Sequence, residues 1–327
     1  MSVIKGSVEV PELNSRLKRY RVVVLAGGVG GAKLAEGISQ HVPPENLTII
    51  GNTGDDFTHL GLKICPDLDT VMYMLAGVHN PETGWGRDDE SWRVMSGVKE
   101  LGGPDWFSLG DLDLSTHLIR SHLLAAGKSL TETTAFLCEK FNVGPKLLPM
   151  SDQLAPTIID TDEGALAFQS WFVEKKWEPT ANKVLLPEDV RATAQVVAAL
   201  TEAEIVIIAP SNPFVSIDPI LNVYPIRSMV KDLPKIVVAV TPIIAGEAVK
   251  GPAAKMMREM GLPVSASTIA EYYDGLIDLF IYDERDEQQP YLPDLETMQT
   301  DTLMKNQEER GRLAHDILSY VLELLET

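Results

Sequence analysis

Gly27, Gly28, Gly30 and Gly31 stand in the stretch AGGVGGAK, between the β-branched run RVVVL at 21–25 and the helix-like LAEGISQHV at 34–42. Glycines between a strand and a helix let the backbone turn tightly and approach a phosphate, with amides and the positive end of the helix facing it. The same glycines also serve close packing of helix on strand, so the motif alone leaves both roles open. It is not a Walker A loop, because Lys33 is followed by Leu34 rather than Ser or Thr. It is not a nicotinamide fingerprint either, since the second strand, LTII at 47–50, runs into Gly51, Asn52 and Thr53 before any acid. Lys33 is either a phosphate contact or a solvated residue of the first helical turn.

Carboxylates follow. Asp55 and Asp56 lie in the loop after LTII, and Asp67 and Asp69 lie further on in PDLDT. Acids gathered near a phosphate site suggest Mg²⁺, which takes hard oxygen ligands and bridges to phosphate. Asp is also favoured in turns and at helix starts. Asp67, just ahead of an apolar helix, is expected to cap it. Asp55, Asp56 and Asp69 are the candidate catalytic and metal-ligating groups. His117 and Arg120 are one turn apart on a predicted helix, so they share a face and can reach one anion. The alternative is a structural salt link with Asp111, and Asp111 or Asp113 is expected to cap that helix. Ser151 and Asp152, and Ser211 and Asn212, follow apolar strands. There they can read a ribose, base or phosphate, or simply form turns. His59 and His79 read as loop residues. Neither a Ser–His–Asp nucleophile elbow nor a zinc helix signature is present.

The elements that must position these groups alternate. Strands are expected at 147–150, 157–160, 165–173, 205–210, 236–240, 263–267 and 278–282, the first three as part of an inserted antiparallel unit. Helices are expected over 112–142 (broken at Gly127, with a capping box from Ser129), 187–201, 219–231, 252–260 and 307–325. Such alternation predicts an α/β fold: a Rossmann-like open, mostly parallel sheet with helices on both faces and an inserted α+β lobe. The expected organisation is an N-terminal extension at 1–19, a nucleotide-binding core at 20–78 and 187–327, and an inserted acceptor or lid lobe at 79–186. Ligands in such sheets bind beyond the carboxyl ends of the strands, so AGGVGGAK, GNTGDDF, APSNPF and TPIIAGE should converge.

Composition narrows the function. A formal net charge of −19 over 327 residues argues against nucleic acid, whose phosphates would be repelled. Any phosphate ligand must therefore be held by local devices: amides, a helix dipole or a metal ion. No apolar run reaches the length of a membrane helix. The first twenty residues lack the apolar stretch of a signal peptide, which predicts a cytoplasmic protein. The two cysteines, Cys65 and Cys138, sit in apolar patterns and are expected to be reduced and buried.

LAGGVGGAKL, NTGDDF-x-HLGL-x-ICPDLDTVMYML, WGRDDESW, DWFSLGDLDLSTHLIRS, LLPMSD, APSNPFVSI and PIIAGEAVKGPAAKMM, in that order, resemble the 2-phospho-L-lactate transferase family over 21–285. The resemblance implies a Mg²⁺-dependent enzyme, often a homodimer. Such enzymes transfer a phospho-three-carbon group from a guanosine diphospho-ester to the deazaflavin alcohol FO, releasing GMP, in coenzyme F420 biosynthesis. It further implies that Asp69 is an acceptor-binding aspartate. Ser108 falls at a second acceptor position, where some relatives carry a basic residue, and His117 and Arg120 lie on the same side. The glycines, Lys33, Ser151, Asp152, Ser211 and Asn212 would serve the donor. Two other classes compete: nucleotide-sugar-binding regulatory proteins of a related Rossmann-like group, and nicotinamide-dependent oxidoreductases.

Overall fold

In the computed structural model, residues 9–326 are described. Seven parallel strands form one sheet: β1 (Val22–Ala26), β2 (Leu47–Gly51), β3 (Lys146–Pro149), β4 (Ile205–Ile208), β5 (Ile236–Val240), β6 (Leu279–Asp283) and β7 (Glu296–Thr300), in the order 3-2-1-4-5-6-7 from one edge to the other. The order reverses at β1, which pairs with β2 on one side and β4 on the other, so Val24 lies beside both Ile49 and Ile207. That reversal opens a crevice at the carboxyl ends.

The β-branched runs are explained by burial on both faces. Val22, Val24 and Ala26 enter one apolar cluster, with helices α1 (Val10–Leu17), α2 (Gly28–Ser39), α3 (Pro66–Leu75) and the C-terminal helix Gln307–Leu325. Val23 and Leu25 enter the other, with Trp171 and the helices after β4. Within the stretch expected to be an extension, α1 packs Leu13 and Leu17 into the first cluster. Among the described residues no helix is long and apolar enough to cross a membrane. Cys65 and Cys138 are free thiols and buried.

Several expectations need correction. LLPM was expected in the inserted antiparallel unit, but it forms β3, the edge of the main sheet, parallel to β2. The antiparallel unit consists of Ile158–Thr161, Gly164–Ala167 and Ala181–Leu185. The apolar run at 165–173 is strand only to Ala167; a helical turn over Ser170–Glu174 then buries Trp171. PVSAS is not a strand, because the Ser265 hydroxyl accepts the Thr268 amide and starts the helix Ala266–Tyr272. The helix expected over 219–231 is two, Asp218–Asn222 and Ile226–Asp232, parted around Pro225. β7, in ETMQT, gave no signal because as an edge strand it buries only Met298. The hairpin Phe57–His59 with Leu62–Ile64 lies in a stretch that reads as loop.

Candidate active site

The carboxyl ends of the central strands open into a cavity of about 660 Å³. Its floor is the β1–α2 turn. Gly28 adopts φ +62, a left-handed conformation that suits glycine. Gly30 lies so close to the β4 loop that a Cβ there would stand 2.4 Å from the Pro210 carbonyl oxygen. The Ser211 hydroxyl accepts the Gly27 amide at 3.2 Å and donates to the Gly27 carbonyl at 2.7 Å, locking the two loops together. These glycines therefore serve packing, yet Gly27, Gly28, Val29 and Gly30 also line the cavity. Gly27 offers α2 no side-chain cap, and the first turn carries no acid. The amides of Val29 and Gly30 have no carbonyl above them in the helix, which leaves an anion cradle.

Asp67, expected to be a helix cap, does other work. Cys65 is the cap residue of α3, and Asp67 sits inside the first turn. Its Oδ1 accepts the Gly28 amide at 2.6 Å, and its Oδ2 accepts the Asn52 side-chain amide at 2.9 Å. Asn52 in turn accepts the Gly54 amide and donates to the Val215 carbonyl. One carboxylate thus ties the glycine turn to the acid loop. Burial pushes its pKa up to about 6, with the Asn52 and Gly28 hydrogen bonds opposing.

The four acids divide in two. Asp55 lines the cavity, 5% exposed; its Oδ2 accepts from Gln169 at 3.2 Å, and its Oδ1 is buried without a partner. Burial, then the Asp67 and Asp56 charges, raise its pKa well above the ordinary carboxylate value. Asp56 is off the cavity wall, paired with Lys63 Nζ at 3.1 Å and accepting from the Cys65 thiol at 3.1 Å. Asp69 lines the cavity but is held by both amino groups of Arg120, with Nη1 at 3.0 Å from Oδ2. His117 and Arg120 do share one face and do reach one anion: it is Asp69 of the chain itself. Arg120, 2% exposed, lies behind the wall. It also donates to His117 Nδ1 at 3.0 Å, which leaves Nε2 to face Asp113 at 3.2 Å, and Tyr73 donates to Asp113 at 2.7 Å.

Around these lie residues to which the sequence reading gave no role. Trp85 and the adjoining rings of Trp106 and Phe107 line the cavity, as do Phe168, Phe172 and Gln169, the last of which donates to Asp55. Lys250 and Lys305 line the cavity with Lys33, whose ammonium donates to the Met304 carbonyl at 2.7 Å. The motifs that hold Trp85, Trp106, Phe107 and Lys250, namely WGRDDESW, DWFSLGD and PIIAGEAVK, were already visible; Phe168, Gln169, Phe172 and Lys305 stood in none, and the convergence of all of them was not legible. Ser108, Ser211 and Asn212 are on the wall; Asn212 also accepts the Phe214 amide at 3.0 Å. Gly31, Ser151 and Asp152 are not. The Ser151 hydroxyl donates to the Arg191 carbonyl, and Asp152 accepts from the Thr131 amide and hydroxyl. Helix α5 (Asp111–Ala125) starts at Gly110, and its first amides are accepted by Glu90. Asp111 instead accepts the Arg93 and Val94 amides of α4 (Arg93–Glu100), so α5 caps α4 while Glu90, just ahead of α4, caps α5.

Comparison with known proteins agrees with this arrangement. The model of the CofD 2-phospho-L-lactate transferase family matches residues 22–318. A phosphoenolpyruvate transferase of Kitasatospora aureofaciens is 44% identical over 82% of this chain and 86% of its own length. A 2-phospho-L-lactate transferase of Methanosarcina mazei is 36% identical over 91% and 99%. A UPF0052 family protein of Bacillus halodurans shares the fold, with a TM-score of 0.60 at 17% identity over 91% of this chain and 98% of that one. With the glycine turn, the buried acids and the aromatic walls meeting in one cavity, and the match running from β1 into the C-terminal helix, the chain belongs to the 2-phospho-L-lactate transferase family.

Proposed function

We propose that this protein transfers a phospho-three-carbon group from a guanosine diphospho-ester to the primary hydroxyl of the deazaflavin alcohol FO, releasing GMP, as a cytoplasmic homodimer in coenzyme F420 biosynthesis. One observation carries the reading: a bare anion cradle and a partnerless carboxylate oxygen, that of Asp55, line the same cavity. The cradle suits a diphosphate, and the aromatic wall of Trp85, Trp106 and Phe107 suits a flat tricyclic acceptor. Relatives named phosphoenolpyruvate transferase are 40–44% identical, against 36% for those named 2-phospho-L-lactate transferase. That difference favours an enolpyruvyl donor.

Mg²⁺ fits the residues present. Among the described residues no three metal-ligating side chains cluster, but Mg²⁺ needs only one or two carboxylates beside water and substrate phosphate. Asp55, with its free oxygen, and the adjacent Asp67 would hold it; Asp56 and Asp69 are already engaged by cations. When bound, the ion would offset charge developing on the transferred phosphate. The chain's own groups do the remaining work. The Val29 and Gly30 amides orient the diphosphate, Asp69 receives a hydrogen bond from a polar group of the acceptor, and the aromatic walls exclude water. Attack by the acceptor hydroxyl in line with departing GMP requires no protein nucleophile.

Asp55→Asn should cut Mg²⁺-dependent turnover by at least a hundredfold, roughly the cost of losing one strong electrostatic contact to the transition state, while the fold survives. Incubation with FO and each candidate donor, read by mass spectrometry, tests the whole reading. A product heavier than FO by the phosphoenolpyruvyl group is expected. No product with any guanosine diphospho-ester would overturn it.

A further inference from the structure

The turn 78–88 is a compact strap. Asp88 N–H donates to the Val78 carbonyl, Asn80 N–H to the Gly86 carbonyl, and the Asn80 side chain accepts the Glu82 and Thr83 amides. It touches both halves of the cavity. Gly84 lies on Val29 of the glycine turn, where a Cβ would stand 2.7 Å from Val29 Cγ1, and Arg87 donates to the Leu112 carbonyl at the start of α5. Trp85 and Gly86 line the cavity between them. Whatever the strap covers therefore lies between the nucleotide turn and the acceptor wall. On the transferase reading, on which this inference rests, that is where the phosphate being transferred must sit.

The strap is fastened from the far side of the crevice. Lys250, in the loop before the helix Ala253–Glu259, donates to the Thr83 carbonyl, and a Cβ on Gly84 would be 3.4 Å from its Nζ. Lys33 is near enough that Lys250 adds to burial in lowering its pKa, and burial lowers that of Lys250. Among the described residues neither ammonium has a carboxylate within ion-pair distance, although the chain carries 47 acids against 28 lysines and arginines. Each spends one of its three donors on a backbone carbonyl. Lys33 is partly buried and feels Glu309 only from beyond ion-pair distance, and Lys250 is exposed. With neither ion-paired and both lining the cavity beside free helix amides, they form a patch of positive charge that suits a phosphate.

We propose that Lys250 is a donor-binding residue, its ammonium contacting the second phosphate of the guanosine diphospho-ester while it holds the Thr83–Gly86 turn over the glycine loop. The probes are GDP, which carries that phosphate, and GMP, which does not. Calorimetry on the full-length protein with Lys250→Met should show GDP affinity reduced roughly tenfold to a hundredfold, the range for a lost charged hydrogen bond. GMP affinity should stay within about threefold of the parent, and Lys250→Arg should recover most of the GDP affinity. Unchanged GDP affinity in Lys250→Met, with the parent melting temperature, would overturn the assignment. So would equal losses for GDP and GMP, which would place Lys250 away from the second phosphate. Failure of the parent protein to bind either nucleotide would instead overturn the transferase reading, and this inference with it.

Discussion

Asp69 and Arg120 meet in the interior, each almost wholly buried, and the pair has consequences for stability as well as for the site. Burial raises the Asp69 pKa, with Arg120 and then His117 opposing. Removing one partner leaves the other charge uncompensated in a low-dielectric setting, which costs about 3–5 kcal/mol. Arg120→Met should therefore lower the unfolding free energy from chemical denaturation by that amount, whereas Lys33→Met, with no carboxylate in ion-pair distance, should change it by less than about 1 kcal/mol. An Arg120→Met protein as stable as the parent would refute the pairing. Asp69→Asn keeps the shape and removes the charge. It should weaken FO binding by roughly tenfold to a hundredfold, as one hydrogen bond is lost, and leave GDP binding nearly unchanged; fluorescence titration of FO reads this directly.

The elements that frame the cavity are fastened at their ends by single residues, and two of these fastenings are testable. A methyl group on Gly30 would collide with the Pro210 carbonyl, which is backbone and cannot swing aside. Gly30→Ala should force the β1–α2 turn off the β4 loop, cost about 1–3 kcal/mol and abolish GDP binding measured by calorimetry. At the other edge, Asp283 ends β6 wholly buried and accepts the amide and hydroxyl of Thr302 and the Arg285 amide. Thr302, Leu303 and Met304 line the cavity, so this carboxylate holds part of its wall. Burial by itself would raise the Asp283 pKa, but these donors outweigh it and the net direction is down. A carboxylate with a depressed folded pKa stabilises above its unfolded value, and that contribution is lost as pH falls through the folded pKa. The stability gap between parent and Asp283→Asn should be about 2–4 kcal/mol at pH 7 and narrow steadily as pH falls below about 4, the ordinary aspartate value. A gap that does not narrow at all between about pH 5 and pH 2 would show that the carboxylate charge is not what anchors Thr302.

At the scale of the whole molecule, a chain with net charge −19 needs local positive charge wherever an anion is to bind. Lys33, Lys250 and Lys305 line the cavity together with Asp55, Asp67, Asp69 and Asp113, and two of those acids are matched from within the chain, Asp69 by Arg120 and Asp113 by His117. A ligand that binds only the folded state raises the melting midpoint by mass action, by about 2.7 kcal/mol of stability at a hundred times its dissociation constant. GDP should therefore shift the midpoint upward in a thermal scan, and NAD should leave it unchanged. A shift with NAD and none with GDP would return the protein to the oxidoreductase class.

The central strands and the cavity-lining loops were legible in the sequence, because a buried parallel strand needs a β-branched run and a βα turn near phosphate needs glycine. RVVVL, LTII, IVIIAP, IVVAV and DLFIY announce β1, β2, β4, β5 and β6 locally. The edge strands were not legible as such. β7 buries one side chain, and β3 joins the main sheet through backbone pairing with β2 across ninety-odd residues of intervening chain, which leaves no mark on LLPM itself. At the site, residue types were plain but partners were not. Whether an aspartate is spare or spoken for depends on which cation the fold sets beside it. Lys63 and Arg120 neutralise Asp56 and Asp69, while Asp55 lines the cavity with no cation at ion-pair distance and Asp67 crosses to the Gly28 amide. Sequence determines which groups are on offer and roughly where each strand delivers them. Only the tertiary structure decides which charges cancel, because cancellation acts over about 3 Å in space between residues up to 51 positions apart in the chain.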